Sequence, residues 1–261
     1  GERNAITEFA ASGEWRIGSG GTTELLRGAD LAHTRAELDL GNRVQRPMTF
    51  RTAVTRGSLL ADVTQALGAQ RFLDAGVRVT QLQTRETFAE PRVAILGERA
   101  LTSGALTWRV AAGGYHQFVN QFDVASTMPV AFVPSVRFWL PADGRSPVAQ
   151  SWHTSSEVAW SFARGWEVRG EVYGRWHPSL PMFDYGALFD SAGTQPHTDA
   201  AAFIARSRGR AFGGGVRVIR DARFRGQSIR AELGYDGGQS VRRFPSRFDA
   251  QLQPTPWTEP H

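Results

Sequence analysis

The sequence predicts an all-β fold in which antiparallel strands belong to a transmembrane β-barrel. Two observations carry this prediction. Apolar and polar residues alternate with a period of two along most of the chain, which sends them to opposite faces of a strand. Short connections between these segments also take turns with long ones, as they do in up-and-down barrels of the outer membrane. No segment of helical period competes with the alternating segments.

Ten segments carry the alternation, and each is predicted to form one strand. In chain order they are residues 5–17, 23–38, 47–66, 73–80, 89–99, 105–118, 150–163, 166–176, 208–221 and 225–237. In the first segment Phe9 and Trp15 alternate with Glu8 and Glu14, and the second segment is the least regular. Short connections are predicted at residues 67–69, 163–165 and 221–223. Long connections are predicted at residues 119–149 and 178–205 and after Val241.

Tryptophans at the ends of two neighbouring strands indicate which face meets lipid. Trp166 and Trp176 share one face and lie ten residues apart, which is roughly 23 Å along the membrane normal for a strand tilted by about 45°. Trp152 and Trp160 hold similar positions on the preceding strand. These four tryptophans are therefore predicted to form a lipid-facing girdle at each interface. The alternative from this pattern is a soluble sandwich that buries the tryptophans in its core.

The opposite face of the same hairpin carries charge. Glu167, Arg169, Glu171 and Arg175 alternate with the apolar residues, and a wet lumen would let them form cross-strand ion pairs. In a sandwich they would face bulk water, so the charges alone leave both architectures open.

Composition narrows the class of protein. No run of 18 apolar residues is present, so no transmembrane helix is predicted, and the first residues lack the plan of a signal peptide. There is no cysteine, which removes disulfides and thiolate metal sites. All 30 basic residues are arginine and the net charge is +5. Because these arginines are spread singly along alternating strands, nucleic acid is not a predicted partner.

No pattern of catalytic or metal-binding residues emerges. None of the six histidines has a metal-ligand spacing, and His153 with Ser155 lacks an orienting carboxylate. The three glycines at 213–215 lack the lysine of a phosphate loop and suggest close approach of strands instead. The chain is therefore predicted to be no enzyme and to hold no metal and no cofactor.

Several stretches resemble the barrel of TonB-dependent outer-membrane receptors. They are GVRVTQ at 76–81, EPRVAIL at 90–96, WRVAAGGYHQF at 108–118, the hairpin at 151–176, RGRAFGGGVRV at 208–218 and PWTEPH at 256–261. In the last stretch the acidic residue, Glu259, is displaced by one position from the family's pattern. The order and spacing of these motifs extend over about three quarters of the chain.

The resemblance implies that residues 1–261 are part of a larger barrel of 22 strands in the outer membrane of a Gram-negative bacterium. Such a receptor takes up a scarce ligand, such as an iron chelate, cobalamin or a carbohydrate. Its partners are outer-membrane lipid, lipopolysaccharide and the inner-membrane TonB complex, which acts through an N-terminal plug. No plug or coupling box is matched in this chain. We therefore expect the chain to be an excerpt that forms no native closed pore alone.

Ligand contact is predicted in the long connections. Residues 119–149 and 178–205 are expected to form extracellular loops at the mouth of the barrel, where Phe138, Trp139, Phe183 and Tyr185 would bind a small-molecule ligand by aromatic packing. Two alternatives stay open at this point. One is a complete small outer-membrane barrel, either a porin or an enzyme, and the other is a soluble all-β binding protein.

Overall fold

A computed structural model describes residues 2–19, 22–40, 48–124, 136–162, 165–183 and 204–243. These residues form twelve β-strands. The first six are β1 (Glu2–Ser19), β2 (Thr23–Leu40), β3 (Met48–Ala66), β4 (Arg71–Leu82), β5 (Thr87–Leu101) and β6 (Gly104–Gln117). The others are β7 (Val119–Val124), β8 (Val136–Pro141), β9 (Ala149–Phe162), β10 (Trp166–Phe183), β11 (Ile204–Phe224) and β12 (Gln227–Arg243).

Ten strands form one antiparallel sheet in the order β1-β2-β3-β4-β5-β6-β9-β10-β11-β12. These are the ten strands that the alternation predicts, so the all-β fold class and its antiparallel sheet are confirmed. Strands β7 and β8 pair only with each other, as a separate antiparallel hairpin between β6 and β9. Within the described residues, β1 and β12 each have one neighbour in the sheet. No helix in the same residues is long and apolar enough to cross a membrane.

The strands extend further than the sequence predicts. Part of the predicted loop 119–149 is the hairpin β7–β8, and β10 runs on through Pro178 and Pro181 to Phe183. A shift of register between His177 and Leu180 accommodates the first proline, because a bulge leaves one residue out of the hydrogen-bonded ladder. The turn predicted at 221–223 lies at Arg225 and Gly226 instead.

The connections are short at one end of the sheet. Arg225 and Gly226 join β11 to β12 with φ angles of 51° and 81°, which is the pair of positive angles that a two-residue hairpin turn of type I′ requires. Gly165, which directly precedes β10 at the same end, also has a positive φ, of 75°. The strand ends that the longest links join, β6 to β9 and β10 to β11, are at the other end of the sheet. We call these the short-turn end and the long-link end.

The two faces of the sheet differ in polarity. The face opposite the hairpin β7–β8, here the outer face, carries an exposed apolar side chain on every one of the ten strands. In sheet order these include Phe9, Leu31, Leu59, Val77, Val93, Val110, Val158, Val172, Val216 and Leu233. The register of each strand pair places these side chains on the same side of the sheet. The hairpin β7–β8 lies on the inner face.

Candidate functional site on the inner face

The hairpin β7–β8 lies against the inner face of the sheet. Strand β8 contacts β1, β2 and β3, whereas β7 contacts β10. In a flat sheet β1 and β10 would lie about 34 Å apart, since neighbouring strands are about 4.8 Å apart. A two-stranded ribbon cannot bridge that distance, so the sheet curves around the hairpin and encloses it from both sides.

Aromatic and aliphatic side chains hold the hairpin in place. Phe138 and Leu140 of β8 have no exposed surface, and the ring of Phe122 on β7 stacks on Phe138 with centroids 5.6 Å apart. On the sheet, Leu38 and Phe50 are cross-strand partners and are also buried. Burial of a side chain of this size contributes about 1.5–3 kcal/mol, which makes the hairpin a docked element of the inner face.

Asp143, which follows β8, ties the hairpin to the sheet. Its carboxylate accepts hydrogen bonds from the Thr52 hydroxyl of β3 at 3.0 Å, from the Arg145 guanidinium at 2.6 Å, and from the backbone N–H groups of Arg145 and Ser146. Burial alone would raise the pKa of Asp143, but these hydrogen bonds outweigh it and hold the pKa below its ordinary value. The guanidinium of Arg145 also lies 5.7 Å from the ring centre of Phe50.

Ion pairs line much of the inner face, some within or between adjacent strands and others across one intervening strand. On β9 and β10, Arg169 lies 2.9 Å from Glu167 and 3.6 Å from Glu157. Further pairs are Arg56–Glu8 at 3.4 Å, Arg78–Asp30 at 3.6 Å, Arg92–Asp62, and Arg217–Glu232 at 3.7 Å. Partly exposed pairs of this kind contribute about 0.2–1 kcal/mol each. Their main consequence is a polar, charge-balanced wall.

A cavity of about 340 Å³ opens in this wall beside the start of the hairpin. Its lining includes Glu8, Asp30, Arg56, Arg78, Glu90 and His116. The carboxylate of Glu90 accepts the backbone N–H of His116 at 2.6 Å. The imidazole of His116 is buried against Phe88 and Phe118. Its Nδ1 lies 3.8 Å from a carboxylate oxygen of Glu90 and makes no hydrogen bond within the described residues. The cavity therefore offers carboxylates, guanidinium groups and an imidazole to a polar ligand.

A second cavity, of about 450 Å³, lies on the other side of His116. It is bordered by Arg145, Ser179 and Arg206. The Ser179 hydroxyl donates to the carbonyl of Val148 at 2.8 Å, which fixes the segment that returns from the hairpin to β9. Among the residues that the structure describes, no three His, Asp or Glu side chains are grouped so that they could hold a metal ion.

The structure describes only part of the set of aromatic residues predicted to bind ligand. Phe138 and Trp139 lie on β8, where Phe138 is fully buried and Trp139 is partly exposed. The backbone of Phe183 ends β10, but its side chain, like all of Tyr185, lies outside the described residues. Phe138 packs the hairpin against the sheet in this arrangement. Ligand contact by the four aromatic residues stays a prediction.

The four predicted girdle tryptophans lie on the outer face. Trp176 is the cross-strand partner of Trp152 near the long-link end, and Trp166 is the partner of Phe162 near the short-turn end. Trp160 lies beside them, with its ring 4.6 Å from that of Phe162. The exposed fractions of the four tryptophans run from 38% to 56%. They form two aromatic rows at opposite ends of the apolar face, while contact with lipid stays a prediction.

Sequence reasoning missed Asp143 and His116. The signal for Asp143 was present, because the stretch PADGRSP at 141–147 contains an Asp-Gly turn between two prolines, and Gly144 has φ of 86°. No sequence signal pointed to His116, since a single histidine in a strand has no spacing to other polar residues that would predict its burial or its contacts.

No family model and no curated protein matches the sequence. The fold is similar to solved structures of the RagAB peptide transporter. For one of these the TM-score is 0.60 at 8% identity, covering 99% of this chain and 33% of the other. For the RagAB peptide importer in its "closed-closed" state the TM-score is 0.55 at 9% identity, covering 100% and 37%. For the "open-open" state it is 0.56 at 9% identity, covering 95% and 31%. This chain thus spans about a third of those chains and shares their fold.

Proposed function

We propose that this chain is part of the wall of an outer-membrane β-barrel that takes up a scarce ligand, and that it acts in transport and not as an enzyme. The observation that carries the proposal is the contrast between the faces. Exposed apolar side chains such as Leu59, Val110, Val172 and Leu233 cover the outer face, and ion pairs line the inner face. A barrel wall between lipid and a wet lumen has this polarity.

The size of the apolar face argues against a soluble protein. Soluble monomers rarely expose a contiguous apolar patch larger than about 300–600 Å², and here the patch crosses ten strands. The aromatic rows at both ends of this face match the girdles that membrane barrels place at their interfaces. The hairpin on the inner face further favours a receptor with a partly filled interior over an open porin.

The finer assignment is to a TonB-dependent receptor. It is supported by the sequence motifs that resemble this family and by a fold shared with a peptide importer over the full chain. On this assignment the ligand is an iron chelate, cobalamin, a carbohydrate or a peptide, and it reaches the inner face from the long-link end. Lipid and lipopolysaccharide contact the outer face, and the inner-membrane TonB complex supplies energy through a plug.

Site-directed spin labels test which face meets lipid. Labels at Val168 and Val172 of β10 in the full-length protein, reconstituted in bilayers, should respond to oxygen dissolved in lipid. Labels at the intervening Arg169 and Glu171 should respond to aqueous relaxation agents. The reverse pattern would contradict the proposal, and uniform aqueous access at all four positions would favour a soluble protein.

A further inference from the structure

Arginines are concentrated on the outer face at the long-link end of β11 and β12. Arg208 and Arg210 occupy even positions of β11, on the same face as the exposed residues Phe212 and Val216. Arg243 on β12 is the cross-strand partner of Arg208. All three arginine side chains are exposed. Directly opposite residues place their Cβ atoms about 5 Å apart, so the guanidinium groups of Arg208 and Arg243 lie within reach of one anion.

This pairing of like charges differs from the pairing elsewhere on the same face. On β2 and β3 the register places Arg51 opposite Glu37, and the two side chains form an ion pair at 2.8 Å. Like charges directly opposite each other destabilise a sheet, and among the described residues the cross-strand partner of each of these two arginines on β11 and β12 is the other arginine and no carboxylate. Trp176, the cross-strand partner of Arg210, lies diagonally across from Arg208 on the same face, and within the described chain neither Arg208 nor Arg243 has an ion pair.

We propose that Arg208 and Arg243 bind the phosphates of lipopolysaccharide in the outer leaflet. The site rests on the proposed function, since it requires the outer face to lie in a membrane. Guanidinium groups bind phosphate oxygens through paired, charge-assisted hydrogen bonds. Trp176, the cross-strand partner of Arg210, belongs to the aromatic row at this end. The headgroup would therefore lie just beyond the row, and its acyl chains would lie along Phe212, Val216 and Tyr235.

The position of the pair along the strand selects this lipid. Long connections of outer-membrane barrels are extracellular and short turns are periplasmic, so Arg208 and Arg243 face the leaflet that holds lipopolysaccharide. At the short-turn end of the same face, by contrast, Arg220 stacks on Trp166 with its guanidinium carbon 4.8 Å from the ring centre. That arginine has an aromatic partner, whereas the described residue opposite Arg208 on β12 is another cation, Arg243.

The test is a titration of the purified full-length protein with diphosphoryl lipid A, followed by native mass spectrometry. The double variant Arg208→Gln/Arg243→Gln should bind lipid A at least about tenfold more weakly, because two charged hydrogen-bonding groups are lost. Arg99→Gln is the matched control, since Arg99 is an exposed arginine on the outer face near the short-turn end. Its affinity for lipid A should not change.

Several results would overturn the proposal. Equal binding by the double variant and the wild type would remove these arginines from the site. Equal loss in Arg99→Gln would show a general effect of charge. Inorganic phosphate that competes at the concentration of lipid A would indicate a free-anion site. A spin label at Val172 distinguishes the failure of this proposal from the failure of the proposed function. If that label contacts lipid but the double variant binds lipid A as tightly as the wild type, only the phosphate site is contradicted.

Discussion

Two adjacent serines of β9 offer a sharp test of which face of the sheet lies in lipid. Ser156 lies on the outer face, where its cross-strand partners are Val110 and Val172. Ser155 lies on the inner face opposite Ala111 and Tyr173. Each serine can be replaced by arginine. The two variants have the same composition and differ only in the face that receives the charge.

The magnitude follows from the depth of Ser156. It lies four residues from Trp152 and four from Trp160, which is about 9 Å from each aromatic row for a strand tilted by about 45°. Ser156→Arg therefore places a guanidinium near the midplane and should cost about 2–4 kcal/mol. Ser155→Arg faces the exposed inner side and should change the free energy of unfolding by less than about 1 kcal/mol.

The assay is equilibrium unfolding in urea of the full-length protein, folded in lipid vesicles and followed by tryptophan fluorescence. The difference between the two variants is the quantity of interest, because it cancels any general cost of introducing arginine. Equal destabilisation by both substitutions would refute the lipid-facing assignment of the outer face. A larger cost for Ser155→Arg would reverse it.

Three further outcomes are expected. Phe138→Ala should weaken docking of the hairpin by about 3–5 kcal/mol, seen as increased proteolysis of β7 and β8 with the ten-stranded sheet intact; an unchanged cleavage rate would contradict this. Because the pKa of Asp143 is lowered in the folded protein, its contribution is present above about pH 4, the ordinary range of the carboxyl, and is lost as the pH falls through the folded pKa. A fluorine label on Trp139 should report undocking in acid, and Asp143→Asn should abolish that pH dependence. Deleting residues 183–199 from the full-length protein should weaken ligand binding and leave the sheet assembled, and unchanged affinity would exclude this segment from the site.

The sheet could be predicted from the sequence because its strands are long and half-buried. In β9, for example, fourteen residues follow the same alternation, which assigns each side chain to one of the two faces. The ends of strands were harder, since Pro178 and Pro181 signal a break that the register shift in β10 absorbs. The local pattern thus predicts that a strand is present, but it does not predict where the strand ends when a bulge lets it continue past a proline.

The inner hairpin could not be predicted in the same way. Strands β7 (VNQFDV) and β8 (VRFWLP) do not alternate apolar and polar residues strictly, so the period-two pattern that predicts the other strands is absent from them. Whether a connection points away from the sheet or folds onto it depends on partners far away in the sequence, such as Thr52 for Asp143. The distance of 91 residues between those two side chains leaves no trace in local composition.

The place of the hairpin in the chain has a consequence for folding kinetics. Every other pair of neighbouring strands in the sheet is also consecutive in the chain. Strands β6 and β9 are the exception, because about thirty residues, including the hairpin, separate them. Closing a link about ten times longer than a tight turn costs roughly 2 kcal/mol of additional chain entropy. Strands β6 and β9 should therefore be the last to pair, unless the hairpin forms first and shortens the length of chain that must be closed. A docked hairpin then brings β6 and β9 together during folding. Loss of the hairpin should slow the assembly of the sheet more than it lowers the free energy of unfolding.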